Sequence, residues 1–280
     1  MKLFDAHNHL HDARLAEHRA EMIAEMERIG VVRAVVNGTR EEDWGAVAEL
    51  AAERAFVVPS FGLHPWHVAT RTAKWRSVLR DRLVAHPGAG VGEIGLDRWV
   101  DGHDLIVQTE VFTKQLALAE KLNRPATIHC IEAWGLLWDV IRHNPIPARG
   151  FLLHAYGGPM EMTAGFVEHG AYFSFSSHFL HARKGAQRDV FRKLPADRIL
   201  VETDAPDMRP PDECNPRPLS GALNHPANID VSHLALAELR GLAPEALSEQ
   251  VAENFARLFA AGGTGGPPVV SGGSPDTSCE

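Results

Sequence analysis

Two histidines separated by one residue close the first apolar run of the chain, in the segment Asp5-Ala-His-Asn-His9. Alternate residues of a strand point to the same side, so His7 and His9 can hold one metal ion together if this run is a β-strand. A lone His-x-His pair is weak evidence, because many strands carry two histidines on the surface or in the core. The metal interpretation therefore depends on polar residues at equivalent places in later runs.

Four such residues close later apolar runs: Glu93, His129, His154 and Asp204. A buried carboxylate between small residues is costly unless it is paired or bound to metal, and the two oxygens of Glu93 could bridge two cations. We predict that all six residues are metal ligands of a divalent-metal hydrolase with two metal ions. The competing interpretations are a structural salt bridge for Glu93 and hydrogen-bonded core positions for the histidines.

Asp204 ends the run Ile-Leu-Val-Glu-Thr-Asp, and we predict that it orients a water on the metal and accepts its proton. A bound metal lowers the pKa of water from about 15.7 towards about 7. Glu202 alternates onto the same face, so spacing alone leaves the choice open. Asp204 is preferred because it is nearer the end of the run. Mixed histidine and carboxylate ligands suit Zn²⁺, Mn²⁺ or Fe²⁺, and Mg²⁺ is not excluded.

The elements that must position these residues follow from eight short apolar runs, several of them continuous, as in parallel strands covered on both faces. The predicted strands are approximately Leu3–Asn8, Val31–Asn37, Phe56–Leu63, Gly90–Leu96, Ala126–Cys130, Gly150–Ala155, Ala171–Ser176 and Ile199–Thr203. The helical stretches between them are His18–Ile29, Glu42–Arg54, Trp75–His86, Leu105–Leu122, Glu132–His143, Met160–His169 and Gly185–Lys193.

A strand followed by a helix, repeated along the chain, predicts an α/β fold: a TIM-like (β/α)8 barrel with the metal site at the C-terminal face of its strands. A doubly wound sheet is the alternative, but it would not gather residues from so many strand ends. We predict one barrel domain over residues 1–261, with a loop at Pro206–Pro226 over its mouth. Residues 262–280 are rich in Gly, Pro and Ser and predict a disordered tail.

The bulk composition limits the classes of function. The 280 residues contain no run of about 20 apolar residues, so we expect no membrane-spanning helix, and no secretory signal is visible. Three widely spaced cysteines predict a reducing, cytoplasmic location, and alternation turns Cys130 away from its neighbour His129 into a buried apolar role.

The net charge of −8 argues against a broad basic surface for nucleic acid. It does not exclude a phosphodiester substrate, because bound dications add local positive charge.

Several short segments recur together in one known family, and they span residues 1 to about 260. They are Asp5-Ala-His-Asn-His9, Gly62-Leu-His-Pro65, Gly92-Glu-Ile-Gly-Leu-Asp97, Gln115-Leu-Ala-Leu-Ala119, Ile128-His129, Leu153-His154, Glu202-Thr-Asp-Ala-Pro206, Asn224–Pro226 and Asn254-Phe-Ala-Arg-Leu-Phe259. With these segments the chain resembles the TatD family of metal-dependent hydrolases, TatD-like DNases of the amidohydrolase superfamily. Each fragment alone would be unspecific, but the ordered set is very specific.

The resemblance implies two divalent metals at the C-terminal face of a TIM-like barrel. It assigns one metal to His7, His9, Glu93 and Asp204, and the other to Glu93, His129 and His154, with Glu93 as the bridge. His64 stands at the family's Gly-x-His-Pro position and would face the site and contact a substrate phosphate. We therefore add His64 to Asp204 and Glu93 as catalytic candidates. Its competing interpretation is a histidine that caps a helix or loop.

The family resemblance also implies a substrate. Its members are described as DNases, including 3′-to-5′ exonucleases on single strands, and some relatives have been assigned to deacylation of D-aminoacyl-tRNA. Three departures from the family pattern are expected to shape the substrate pocket: the pair Arg98-Trp99, Asp207 and His225. In the family an aromatic residue commonly comes first after Gly-Leu-Asp, an aromatic or apolar residue is frequent at the position of Asp207, and Glu is frequent at that of His225.

Three functional hypotheses follow. The first is metal-assisted hydrolysis of phosphodiesters in single-stranded DNA, with nucleic acid as a substrate rather than a stable partner. In it, Arg98 or Arg209 would contact phosphate and Trp66 or Trp99 would stack on a terminal base, unless each is only a surface or packing residue. The second keeps the metals but hydrolyses an ester, amide or lactone, which suits an acidic chain without a basic stripe. The third is a metal-dependent scaffold or binding module without turnover.

Overall fold

Eight parallel strands alternate with helices in a computed structural model that describes residues 1–102 and 104–260. The strands are β1 (Leu3–Asn8), β2 (Val31–Asn37), β3 (Val57–Ser60), β4 (Val91–Asp97), β5 (Ala126–Ile131), β6 (Phe151–Leu153), β7 (Ala171–Ser176) and β8 (Ile199–Glu202). They pair in parallel in the orders β1-β2-β3 and β4-β5-β6-β7-β8. The predicted tail, residues 262–280, lies outside the described residues.

Backbone hydrogen bonds join these two groups of strands into a ring. Between β3 and β4, Phe61 N donates to Gly90 O at 3.1 Å. At the other seam, Asp204 N donates to His7 O at 3.0 Å, just beyond the end of β8. Together with the strand–helix order, these contacts confirm the predicted α/β barrel, in which the carboxyl ends of all the strands share one rim.

The helices cover the outside of the barrel and bury apolar faces against it. Within the described residues they are α1 (Arg19–Arg28), α2 (Trp44–Glu53), α3 (Trp75–Ala85), α4 (Leu105–Lys121), α5 (Trp134–His143), α6 (Thr163–Glu168), α7 (Gly185–Lys193), α8 (Ile229–Arg240) and α9 (Pro244–Phe259). Most bounds lie within a few residues of the predicted ones. The strands themselves are largely buried, and every residue of β4 is buried.

Two predicted strands are too long. The run at Phe56–Leu63 pairs with β2 only over Val57–Ser60. Phe61 still hydrogen-bonds with Gly90 and Gly92, and the chain then enters the Gly62-Leu-His-Pro segment. The run at Gly150–Ala155 pairs only over β6, because Gly150 has φ 89° and Ala155 has φ 42°. These left-handed conformations turn the chain out of the extended path at both ends of β6.

Two buried glutamines of α4 replace strand partners where β3 and β4 end. Gln115 accepts a hydrogen bond from Leu63 N at 2.7 Å and donates to Leu63 O at 3.1 Å. Gln108 does the same for Asp97, with distances of 2.8 and 2.9 Å. Buried backbone groups need such partners, since an unpaired one costs free energy. The glutamines thus fix the two segments that carry His64 and Asp97.

A buried carboxylate closes the barrel between β1 and β8. Asp5 accepts hydrogen bonds from Thr203 Oγ1 at 2.6 Å and from Thr203 N at 3.1 Å, and also from His7 N at 3.2 Å. Burial raises the pKa of Asp5 to about 7 despite these hydrogen bonds. Asp5 therefore holds the first and last strands together and orients the backbone that presents His7.

No helix in the described part of the chain is long and apolar enough to cross a membrane, as expected. Cys130 is buried on β5, and burial raises the pKa of its thiol to about 12. It nevertheless lines the cavity at the strand ends together with His129, so the prediction that it turns away from that side is not confirmed. The cytoplasmic location stays a prediction.

Gly95 on β4 provides a test of the barrel geometry. Its φ is 141°, and a Cβ there would lie 2.0 Å from His129 O on the neighbouring strand. Gly95→Ala should lower the free energy of unfolding by about 3–5 kcal/mol, through backbone strain and steric overlap. Urea denaturation measures this change.

Gly135 is the matched control, because it lies exposed on α5 and a Cβ added there would meet no atom within 4 Å. Gly135→Ala should raise the free energy of unfolding by about 0.5–1 kcal/mol. Equal effects of the two substitutions would contradict the close approach of β4 to β5.

Candidate metal centre

The structure brings all six predicted ligands together at the C-terminal rim of the barrel. Glu93 is the third residue of β4, the other five stand near or just beyond the carboxyl end of a strand, and all six side chains are buried: His7, His9, Glu93, His129, His154 and Asp204. The side chains converge as expected from the common rim of parallel strands. Their convergence supports the ligand prediction.

One oxygen of Glu93 faces β1 and the end of β8. Glu93 Oε2 lies 3.2 Å from His9 Nε2 and 3.5 Å from His7 Nε2. Asp204 Oδ1 is 3.2 Å from the same nitrogen of His7 and 3.5 Å from that of His9. Two imidazole nitrogens and two carboxylate oxygens therefore surround one point.

The other oxygen of Glu93 faces the opposite side of the site. Glu93 Oε1 lies 2.9 Å from His154 Nε2 and 3.0 Å from His129 Nδ1. His64 Nε2 is 3.3 Å away from the same oxygen. The carboxylate of Glu93 thus lies between two separate groups of nitrogens, as a bridging ligand would.

Asn37 at the end of β2 fixes the two histidines of β1. His9 Nδ1 donates to Asn37 O at 2.7 Å, which leaves Nε2 of His9 with a free lone pair towards the site. His7 Nδ1 lies 3.0 Å from the Asn37 side-chain amide. We did not predict Asn37 as a site residue, although it too is a polar residue that closes an apolar run.

Asp97 at the end of β4 fixes His129. His129 Nε2 donates to Asp97 Oδ2 at 2.9 Å, so Nδ1 of His129 carries the lone pair that faces Glu93. Burial would raise the pKa of Asp97, but hydrogen bonds from His129 and Trp66 lower it to about 2. Partners of this kind orient metal-binding histidines and set their tautomer.

The structure distinguishes Asp204 from Glu202, which spacing alone could not. Asp204 has φ 54°, a left-handed conformation that turns its carboxylate towards His7 and His9. Glu202 lies behind His154: its Oε1 is 3.7 Å from His154 Nδ1, and its Oε2 accepts a hydrogen bond from Ser174 Oγ. Glu202 therefore supports the site from outside, and Asp204 lies in it.

The donor set fits a divalent metal. The three compact groups of potential ligand atoms, each within 4.8 Å, are His7-His9-Asp204, His7-Glu93-His154 and His64-Glu93-His129. Nε2 of His7 is buried without a hydrogen-bond partner, which is costly for a polar atom that binds nothing. Burial raises the pKa of Glu93, but the surrounding imidazoles outweigh it and hold that pKa well below its usual range. Nitrogen and carboxylate donors of this kind suit Zn²⁺, Mn²⁺ or Fe²⁺.

A cavity of about 1090 Å³ opens over these residues. Its walls are loops that follow the strands, and they contribute both charged and aromatic side chains. These include Asp12, Arg14, Arg40, Glu42, Asp43, Trp66, Trp99, Glu132, Trp134, Lys184 and Asp207. Arg14 forms a bidentate ion pair with Asp207, at 2.9 and 2.8 Å, and also binds Asp12.

Three residues named as candidates for phosphate contact or pocket shape do not line the cavity. Arg98 and Arg209 do not line the cavity, and Arg209 pairs instead with Asp212 at 2.9 Å. His225 does not line it either, because its Nδ1 accepts a hydrogen bond from Ala227 N at 3.0 Å and caps a short helix. Trp66, Trp99 and Asp207 do line the cavity, as predicted. The cations that reach it, Arg14, Arg40 and Lys184, stand in connections between strands and main helices that carry no distinguishing sequence pattern, Arg14 and Lys184 in short 3-10 helices.

A parallel α/β barrel with a cluster of histidines and carboxylates at the carboxyl ends of its strands defines a class, the barrel hydrolases that use divalent metals. The family model described as TatD related DNase matches residues 4–260. The chain therefore belongs to the TatD family of metal-dependent hydrolases, and the family resemblance is confirmed. Membership in a hydrolase family favours an enzyme over a scaffold.

Individual relatives match over almost the whole barrel. The chain is 27% identical over 257 residues to the metal-dependent hydrolase YabD of Bacillus subtilis (strain 168), covering 92% of this chain and 98% of that one. It is 30% identical over 262 residues to the 3′-5′ ssDNA/RNA exonuclease TatD of Pantoea vagans (strain C9-1), covering 92% and 99%. The crystal structure of YJJV, a TatD homologue from Escherichia coli K12, matches with a TM-score of 0.85 and 25% identity, covering 92% and 97%.

Metal addition should stabilise the protein if the six residues are ligands. A dication at 100 times its Kd should raise the free energy of unfolding by about 2.7 kcal/mol. Glu93→Gln should remove most of this gain and lower the bound metal, because it deletes the charge between the two ligand groups. Thermal melting with added Zn²⁺ or Mn²⁺ and elemental analysis measure both effects.

Asp139→Asn is the control, since Asp139 lies exposed on α5 and pairs with Arg142. It should bind as much metal as the unmodified protein. Full metal content in Glu93→Gln would contradict the bridging role.

Proposed function

We propose that this protein is a divalent-metal-dependent phosphodiesterase that removes nucleotides from the 3′ end of single-stranded DNA. The observation that carries the proposal is the Glu93 carboxylate, whose two oxygens face two separate groups of ligand atoms. The residues on the two sides of this carboxylate would hold two divalent ions, which would supply the Lewis-acid chemistry that hydrolysis of a phosphodiester needs. The name of the Pantoea vagans relative supports the substrate.

The ligand atoms divide into two sets in this proposal. His7, His9 and Asp204 lie on the Oε2 side of Glu93, and His129 and His154 lie on the Oε1 side. Divalent metals held there lower the pKa of water and polarise a phosphoryl oxygen. Zn²⁺, Mn²⁺, Fe²⁺ and Mg²⁺ are the candidates.

Asp204 orients the attacking water in this mechanism. Its carboxylate lies at the cavity surface, while its backbone N is held by His7 O at 3.0 Å. Asp204 Oδ1 is near both histidines of β1, so Oδ2 is left to accept a hydrogen bond from a water molecule. This arrangement allows Asp204 to take a proton as the phosphorus–oxygen bond forms.

His64 is suited to donate a hydrogen bond rather than to bind metal. Its Nδ1 accepts a hydrogen bond from Trp66 N at 3.2 Å, and burial lowers its pKa to about 4. The imidazole is therefore neutral at pH 7, with its proton on Nε2. The Nε2–H group of His64, next to Glu93, can donate a hydrogen bond to a phosphate oxygen of the substrate.

The proposal predicts metal-dependent degradation of short single-stranded DNA. Asp204→Asn should lower kcat by about 10²–10⁴-fold, because the amide cannot accept the proton from water. Release of mononucleotides from a 5′-labelled oligonucleotide, with Mg²⁺, Mn²⁺ or Zn²⁺, measures the rate. Asp189→Asn is the control, since Asp189 is exposed on α7 and pairs with Arg192. Undiminished activity in Asp204→Asn, or no activity of the parent protein with any metal, would count against the proposal.

A second candidate is hydrolysis of an ester, amide or lactone, including the ester of a D-aminoacyl-tRNA. The charge of the cavity walls favours it: five carboxylates, Asp12, Glu42, Asp43, Glu132 and Asp207, line the cavity outside the metal cluster. One of the cavity's cations, Arg14, is already paired with two of these carboxylates. A small, less anionic ester, amide or lactone suits such walls better than a tRNA does, because tRNA is itself a polyanion.

Parallel assays distinguish the two candidates. Initial rates on a phosphodiester panel should exceed those on an ester and lactone panel if the protein is a nuclease. The opposite order would favour carbonyl hydrolysis at the same metals.

A further inference from the structure

Two tryptophans expose large aromatic surfaces at the wall of the cavity. Trp99 is 67% exposed and Trp66 is 49% exposed, and both line the cavity that contains Glu93 and Asp204. They follow β4 and β3, and so they stand on the side of the site where His64 and His129 lie. Exposed indoles at a reaction site point to a ligand that covers them, because the surface of a ring gains free energy when it leaves water.

One buried carboxylate anchors both tryptophans. Asp97 Oδ2 accepts a hydrogen bond from Trp66 Nε1 at 2.8 Å, and Oδ1 accepts one from Trp99 N at 2.7 Å. The same Oδ2 holds His129 at 2.9 Å. The ring of Trp66 and the backbone of Trp99 are therefore fixed relative to the metal centre.

The anchoring also determines what the ring of Trp66 can offer. Its N–H is used inside the protein on Asp97, and its ring meets the His64 ring at 87°, with 5.0 Å between the ring centroids. The remaining surface of the indole is apolar and has no donor for reading a base edge. Such a surface binds a flat ring by stacking and does not distinguish one base from another.

We propose that Trp66 and Trp99 are the stacking platform for the unpaired base at the 3′ end of the DNA strand. This inference rests on the proposed nuclease function. It identifies the terminal base as the part of the substrate that determines binding. Carboxylates outnumber cations in the cavity walls, so phosphate attraction alone is weak there, and stacking supplies the missing affinity. Because Asp97 contacts both tryptophans and His129, a stacked base also places its phosphate beside the metal centre.

The test compares two single-stranded oligonucleotides that differ only at the 3′ end, one with adenine and one with an abasic residue. The parent protein should cleave the adenine end with a kcat/KM about 10–100-fold higher, mostly through KM. Trp99→Ala should lose most of this preference, because its rate on the adenine end falls towards the rate on the abasic end. Trp66→Phe keeps a ring and should retain more of the preference than Trp66→Leu.

Ile106→Ala is the matched control, because it removes an exposed apolar side chain, 83% accessible, that does not line the cavity. It should leave both rates unchanged. Equal loss on both ends in Trp99→Ala and Trp66→Leu would show a structural role and overturn the inference, as would an unchanged preference.

If the parent protein cleaves neither oligonucleotide, the nuclease proposal fails separately from the stacking proposal. Quenching of indole fluorescence by the intact adenine-ended strand then tests stacking directly. Quenching that is lost in Trp99→Ala supports the platform, and no quenching in the parent protein overturns it.

Discussion

A carboxylate buried among imidazoles is the interaction on which the rest of this site depends. Glu93 lies inside the rim of the barrel, where an unpaired charge would be very costly. Its two oxygens are instead within 3.5 Å of nitrogens from β1, β5 and the segments after β3 and β6. These nitrogens face the carboxylate only if all the strands end at one level. The site and the closed barrel therefore require each other.

A surrounding layer of hydrogen bonds keeps the donors in their positions. Asn37 fixes the histidines of β1, Asp97 fixes His129, and Glu202 lies behind His154. Each of these supporting residues also ends a strand. The barrel thus supplies both the inner donors and their supports from neighbouring strands.

The convergence of the six side chains follows from the sequence because its signal is local. The rule that a polar residue closes an apolar run singled out His129 and His154, whereas Glu93 is the third residue of β4 and does not end that strand. The choice between Asp204 and Glu202 needed the structure, since it depends on the left-handed backbone at Asp204. Alternation along an ideal strand cannot predict that turn.

The cavity walls were predicted less well, because loop positions depend on tertiary contacts. Arg98, Arg209 and His225 do not line the cavity, although Arg98 and Arg209 stand next to residues that do. The length of the third predicted strand was wrong for a related reason. Gln115 on a distant helix takes over as the partner of Leu63, and no pattern within the strand itself reveals this replacement.

The closure of the barrel by Asp5 and Thr203 has a consequence during protein synthesis. These residues are 198 positions apart in the chain, yet their hydrogen bonds join the first strand to the last. A nascent polypeptide on the ribosome carries His7 and His9 long before Asp204, which follows His9 by 195 residues, has been synthesised. The cluster of His7, His9 and Asp204 therefore cannot assemble until the last strand of the barrel has been made.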